Sequence, residues 1–139
     1  MSFPAVIVDT NVVVAGLLTS RDDSLVTRIL DGMLGAAFPF VVSEALLGEY
    51  HRVLVRPGLR KLHGLVIAEV DAVLTIVARH AIVLTPVVAQ PAPDPGDQLL
   101  WELLSTRADL VLITGDKHLL LDSGMRGRVI SPKAFLESV

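Results

Sequence analysis

The run Ala5-Val-Ile-Val-Asp-Thr-Asn-Val-Val-Val-Ala-Gly-Leu-Leu18 decides the fold. Its first part, through Asp9, is β-branched and ends at a polar cluster, the pattern of a strand buried in a parallel sheet. From Val12 to Leu18 the chain is apolar and begins a helix. A capping carboxylate has no reason to terminate a buried strand, so Asp9 asks for another explanation. The stretch does not read as a leader, because it lacks a basic start and is broken by Asp9 and Asn11. A helix over 6–18 is also too short to span a bilayer, and an Asp at its middle would cost about 2.5–3.5 kcal/mol.

Working outward, Asp23 and Ser24 open a helical pattern carried by Leu25, Val26, Ile29, Leu30 and Met33, and Gly35 closes it. Phe38–Val42 reads as a strand, and Ser43 caps a helix bearing Leu46, Leu47, Tyr50, Val53 and Leu54. Pro57-Gly58 reads as its stop. Residues 65–79 form another helix and 81–85 a strand, followed by the proline-rich loop Gln90–Gly96. A helix over about 95–107, a strand over 110–114, a short helix near Leu119, a strand at Val129-Ile130 and a helix after Pro132 complete the chain. Strands alternating with helices imply an α/β protein with a mostly parallel sheet covered on both faces.

Composition bounds the function. The 139 residues suit one domain, 1–139, which buries roughly 68–70% of its unfolded surface. At 52% hydrophobic and 19% charged, the chain is not disordered. Without cysteine there is no disulfide framework, zinc ribbon or thiol nucleophile. Aromatics at 4% argue against a recognition sheet that stacks bases on rings. A net charge of −3 argues against a general nucleic-acid coat. These features point to a cytoplasmic protein with no membrane partner.

Ligand sites in open parallel sheets form outside the carboxyl ends of the strands. Asp9 ends the first strand, and Asp116 follows Val111-Leu-Ile-Thr-Gly115. Asp94 and Asp97 open the helix after the proline loop, and Glu44 and Glu49 lie on the helix after Val42. Taken singly, Asp94, Asp97 and Asp116 also read as helix caps. Glu49 lies roughly 100° from the apolar face of its helix and Glu44 roughly 120° on the other side, so periodicity does not choose between them. Gathered at one sheet edge, such carboxylates repel unless a proton or cation intervenes. Mg²⁺ or Mn²⁺ takes oxygen ligands and bridges to phosphate, and a pair of such ions serves phosphodiester hydrolysis.

Ile7-Val-Asp-Thr-Asn-Val12, Ser43-Glu-Ala-Leu-Leu-Gly-Glu-Tyr50, Asp94-Pro-Gly-Asp97 and Leu112-Ile-Thr-Gly-Asp-Lys-His-Leu119 occur in the order found in PIN domains. The chain most resembles the bacterial branch of toxin–antitoxin toxins, the VapC-like ribonucleases. The resemblance covers nearly the whole chain and implies a three-layer α/β/α sandwich and a metal-dependent ribonuclease. Asp9, Glu49, Asp97 and Asp116 match the family's catalytic, metal-binding quartet, and Asp94 a further acid. Thr10, Asn11 and Thr114 match polar positions that support the acids. The resemblance favours Glu49 over Glu44. Either Asp94 or Asp97 could be the direct ligand and the other a cap, and the family pattern favours Asp97, which leads into the Leu99/Leu100/Leu103/Leu104 helix.

With the quartet set aside, the remaining eleven acids face twelve Lys and Arg. Arg52, Arg56, Arg60, Lys61 and Lys117 are candidates to hold RNA phosphates without reading sequence. Arg52 and Arg56, four apart, equally suit a solvated helix face. The Arg126-Gly-Arg128 loop is a weaker candidate. None of His51, His63, His80 and His118 has metal-binding spacing, and Trp101 reads as core. The expected activity is a Mg²⁺- or Mn²⁺-dependent endoribonuclease, the toxin of a toxin–antitoxin pair. Its implied partners are RNA, a cognate antitoxin covering the acids, and a second copy in a homodimer. A non-catalytic RNA- or protein-binding module is the alternative. A haloacid dehalogenase-type phosphohydrolase ranks lower, since position 11 is Asn where a second acid is required.

Overall fold

The computed structural model describes residues 5–19, 23–121 and 128–138. From the N-terminus, β1 (Val6–Val8) leads into α1 (Thr10–Leu18), followed by α2 (Leu25–Leu34), β2 (Val41–Val42) and α3 (Glu44–Leu54). Next come α4 (Pro57–His63), α5 (Ile67–His80) and β3 (Ile82–Val83). A 3-10 turn (Pro95–Asp97) opens α6 (Gln98–Leu104). After it come β4 (Val111–Ile113), α7 (Lys117–Leu120), β5 (Val129–Ile130) and α8 (Pro132–Ser138).

β1 pairs in parallel with β4, Ile7 opposite Leu112, and β4 with β5. β2 pairs in parallel with β3, and a parallel bridge from Val6 to Phe40 joins the two halves. The strand order is therefore β3-β2-β1-β4-β5. Successive strand residues face opposite sides of a sheet, yet every residue of β1 and β4 is buried. Both faces are covered, and the fold is a three-layer α/β/α sandwich. After β3 the chain returns to the far side of β1 to build β4. That reversal between β1 and β4 is the switch point where such sheets bind ligands.

One buried cluster holds the layers together, with Ile7, Ile29, Met33, Leu46, Tyr50, Leu112 and Phe135 among its members. Ser24 and Ser43 cap α2 and α3 by accepting the amides of Thr27 and Leu46, each at 3.1 Å. Trp101 is core, 4% exposed. Gly16 lets α1 approach α2, because a Cβ there would lie 2.7 Å from the Val26 carbonyl oxygen. Among the described residues, no helix is long and apolar enough to cross a membrane.

The structure departs from the sequence reading in four places, besides shortening the strand expected over Phe38–Val42 to β2. Pro57 does not only end the preceding helix: it occupies the first turn of α4, where its missing N–H costs nothing. Gly64, at φ 74°, closes α4 in the left-handed region. His63 then ties α4 to the end of α3. Its Nδ1 accepts the Leu65 amide (3.0 Å), which leaves the Nε2 proton for the Leu54 carbonyl (2.9 Å). Second, the strand expected over 81–85 shrinks to β3, whose Ile82 and Val83 are exposed at the edge of the sheet. Third, the helix expected over about 95–107 begins as the 3-10 turn capped by Asp94, continues as α6 and ends at Leu104.

Fourth, the basic loop of the sequence reading divides. Arg126 lies outside the described residues. Arg128 is structural, since its Nη2 faces the carbonyls of Leu104 (2.8 Å), Arg107 (2.7 Å) and Leu110 (3.1 Å). It thus gathers the end of α6 and the approach to β4. Arg128→Met is expected to destabilise the fold by roughly 1.5–3 kcal/mol in urea melts, the cost of losing hydrogen bonds to a charged group. A midpoint unchanged within error would show that these carbonyls find other partners.

Candidate active site

Asp9 emerges from the carboxyl end of β1, where its amide donates to the Ile113 carbonyl of β4 (2.9 Å). It occupies the residue before α1, yet its carboxylate does not cap that helix. Instead it accepts a hydrogen bond from the Thr114 hydroxyl at 2.7 Å. Thr114 in turn accepts the Asp116 amide at its hydroxyl oxygen (3.0 Å). One buried threonine, fixed by the β4 register, therefore holds Asp9 and places Asp116. Asn11 spans the same switch point, its side-chain oxygen accepting the Gly115 amide at 3.4 Å.

Glu49 arrives from α3. The Thr10 hydroxyl donates to its carboxylate, while the neighbouring Tyr50 hydroxyl donates to the Val8 carbonyl of β1. Tyr50 is fully buried, and burial, reinforced by the charges of Asp9 and Glu49, raises its pKa well above the usual phenol value. It keeps its proton and remains a donor. Adjacent residues of α3 thus serve two purposes: Tyr50 anchors the helix to the end of β1, and Glu49 reaches the acid beside it.

Asp9, Glu49, Asp97 and Asp116 line one cleft of about 470 Å³, together with Thr10 and Asn11. Its remaining wall consists of Val14, Ala15, Leu18, Val53 and Arg56. Burial pushes the Asp9 carboxyl up to about 6, with Asp97 and Glu49 adding to the push and the Thr114 hydroxyl and Thr10 amide holding it back. Asp97 is also raised, first by burial and then by the charges of Asp94, Asp116 and Glu49. The acids therefore feel one another. Among the described residues they are not drawn into a closed cluster of three ligands. Thr10 holds Glu49, Thr114 holds Asp9, and Asp116 accepts the His118 amide (2.9 Å) as cap of α7. Among the described residues the donor set is entirely oxygen, with no histidine lining the cleft, which suits a hard divalent cation.

The alternatives left open by periodicity now separate. Glu49 lines the cleft, whereas Glu44 is exposed in the first turn of α3. Asp97 lines it, whereas Asp94 is exposed and accepts the Gly96 amide at 2.8 Å. The basic candidates scatter. Arg56 alone lines the acid cleft. Arg60 and Lys61 line a separate hollow of about 360 Å³ between α4 and the start of α5, and Arg52 and Lys117 are exposed. His51 pairs with Asp71 at 3.0 Å on the surface of α3 and α5. Sequence reasoning missed the apolar wall and the Tyr50 bond. The wall was signalled by the spacing of Thr10, Val14 and Leu18, and the Tyr50 bond had no local signal.

The family model described as PIN domain matches residues 5–118, which include all four acids of the cleft. No curated protein matches the chain.

Proposed function

The chain belongs to the PIN domain family, and from that premise we propose that it is a divalent-metal-dependent endoribonuclease. The observation that carries the reading is the convergence of Asp9, Glu49, Asp97 and Asp116 on one cleft at the switch point of the sheet. These four side chains would hold Mg²⁺ or Mn²⁺, which when bound polarises a phosphoryl oxygen and lowers the pKa of water. Asp94, turned to its own cap, would not be a direct ligand.

The chain's own residues prepare the site. Thr114 fixes the Asp9 carboxylate and Thr10 that of Glu49, so both acids are oriented before any ligand arrives. Asn11 and Thr114 brace the turn that presents Asp116. Burial first and the neighbouring acids second raise Asp9 and Asp97, and a bound cation would offset both effects. Motif order supports the toxin branch, and the cleft's negative charge suits an antitoxin segment that places a basic side chain among the acids. A homodimer and a cytoplasmic location belong to the same reading.

The test is cleavage of a labelled RNA panel by the wild-type chain with Mg²⁺, with Mn²⁺ and with EDTA. Cutting with either metal and none with EDTA is the expected result. Cutting that persists in EDTA would remove the metal-dependent mechanism. No cutting of any RNA by the folded protein would turn the reading to a binding module.

A further inference from the structure

The cleft is not uniformly acidic. Thr10, Val14 and Leu18 recur at four-residue spacing along α1, and Glu49 and Val53 do so along α3, before Arg56 starts α4. Both helices lead away from the Thr10–Glu49 hydrogen bond. At a rise of 1.5 Å per residue, α3 carries the chain about 7.5 Å from Glu49 to Leu54, and Arg56 lies two residues further on, for a separation on the order of 10 Å. The wall between them is apolar, formed by Val14, Ala15, Leu18 and Val53. Arg56 is the cleft's one cation among the described residues, and its side chain is exposed. It is absent from the charges that act on Asp9 and Asp97, and it forms no ion pair with the carboxylates among the described residues.

A guanidinium that served only to neutralise the acids would sit among them. One set apart by an apolar span suits an anion bound at the far end of whatever the acids hold. An RNA strand is such a ligand, because its phosphates recur at fixed intervals. A separation of this order corresponds to one or two phosphate steps, because neighbouring phosphates on a strand lie further apart through space than the ~3.4 Å rise measured along a helix axis. We propose that Arg56 binds a phosphate flanking the scissile one, within two nucleotides of it, while the intervening nucleoside lies against Val14, Leu18 and Val53. This rests on the ribonuclease reading and adds a second fixed point on the substrate. With two anchors at opposite ends of the cleft, the strand is held in one register across the acids. Arg56 positions the substrate and has no part in bond cleavage.

The test reads binding, so that it does not depend on cutting. Affinities for a short single-stranded RNA in Ca²⁺ are measured for wild type, Arg56→Met, Arg56→Lys and Arg79→Met, the last removing an exposed charge on α5 outside the cleft. Arg56→Met is expected to weaken binding about tenfold and to make the logarithmic salt slope shallower by about one. Arg56→Lys should recover most of both, and Arg79→Met should change neither. The RNA is then made neutral at one phosphate at a time with methylphosphonate. One internal position should weaken wild type about tenfold and be silent in Arg56→Met. Where wild type cuts, that position should lie within two nucleotides of the cut but not at it. Equal affinity of wild type and Arg56→Met, a loss shared equally with Arg79→Met, or a silent position at the cut itself would overturn the proposal. Absence of RNA binding by wild type would overturn it as well. Absence of cutting, with the binding pattern intact, would refute the nuclease reading and leave the Arg56 contact standing.

Discussion

Asp9→Asn is expected to lower metal-dependent RNA cleavage by at least about 10²-fold while making the metal-free protein more stable above pH 6. The substitution removes the charge and keeps an oxygen for the Thr114 hydroxyl to bond. The sign of the stability effect follows from burial. The Asp9 carboxyl titrates at about 6 in the folded chain against 3.8 unexposed to these forces, so the folded state favours the protonated form. Its stabilising proton is fully present below about pH 3.8, is lost as pH rises through 6, and leaves a penalty of up to about 3 kcal/mol at pH 8. Asn carries no such penalty. Metal-free melts should therefore show the variant ahead at pH 8 and level with wild type near pH 4. Adding Mg²⁺ or Mn²⁺ should stabilise wild type and not the variant. Wild-type cleavage rates in Asp9→Asn, prepared in parallel, would mean that the activity belongs to a contaminant or to another site.

Tyr50→Ala carries the largest expected loss of stability, roughly 3–5 kcal/mol from the cavity left by a fully buried ring. Domains of this kind are stable by only about 5–15 kcal/mol, so the change removes a large share of the total. It also takes from the Val8 carbonyl the hydroxyl that joins α3 to the end of β1. Tyr50→Phe separates the two contributions, keeping the ring and costing roughly 1–2 kcal/mol for the lost bond. Urea midpoints at unchanged m-value measure both. Glu49 rides on the same helix turn, so Tyr50→Phe should weaken metal affinity as well as stability, with Asp9 still in place. A Tyr50→Ala cost below 1 kcal/mol would show that α3 is anchored by its other core residues, Leu46 and Leu54.

Much of the architecture was written locally. The β-branched run before Asp9, the serines at 24 and 43, and the helical spacing of Leu25 to Met33 each specify an element through near neighbours, and each formed. Alternation of strands and helices was enough to imply a parallel sheet. Pro57 misled because proline is unfavourable inside a helix and well suited to its first turn, and only the chain that follows distinguishes the two. Arg128 misled because a loop arginine looks solvated until the carbonyls of Leu104, Arg107 and Leu110 surround it.

The sequence by itself determined the fold class, the type of side chain at the site and the identity of Asp9 as an acid with no capping role. Those follow from backbone preference, burial pattern and residue chemistry, all short-range. Residue patterns leave Glu49 against Glu44 and Asp97 against Asp94 open, with only the family resemblance favouring the first of each, and it is the tertiary structure that puts that acid in the cleft with Asp9 and separates Arg56 from Arg52. In each pair both residues are chemically able, and both suit their own turn of helix. What distinguishes them is where β1 and β4 part and how α1 and α3 lie across that opening, which depends on contacts between residues as far apart as Asp9 and Thr114.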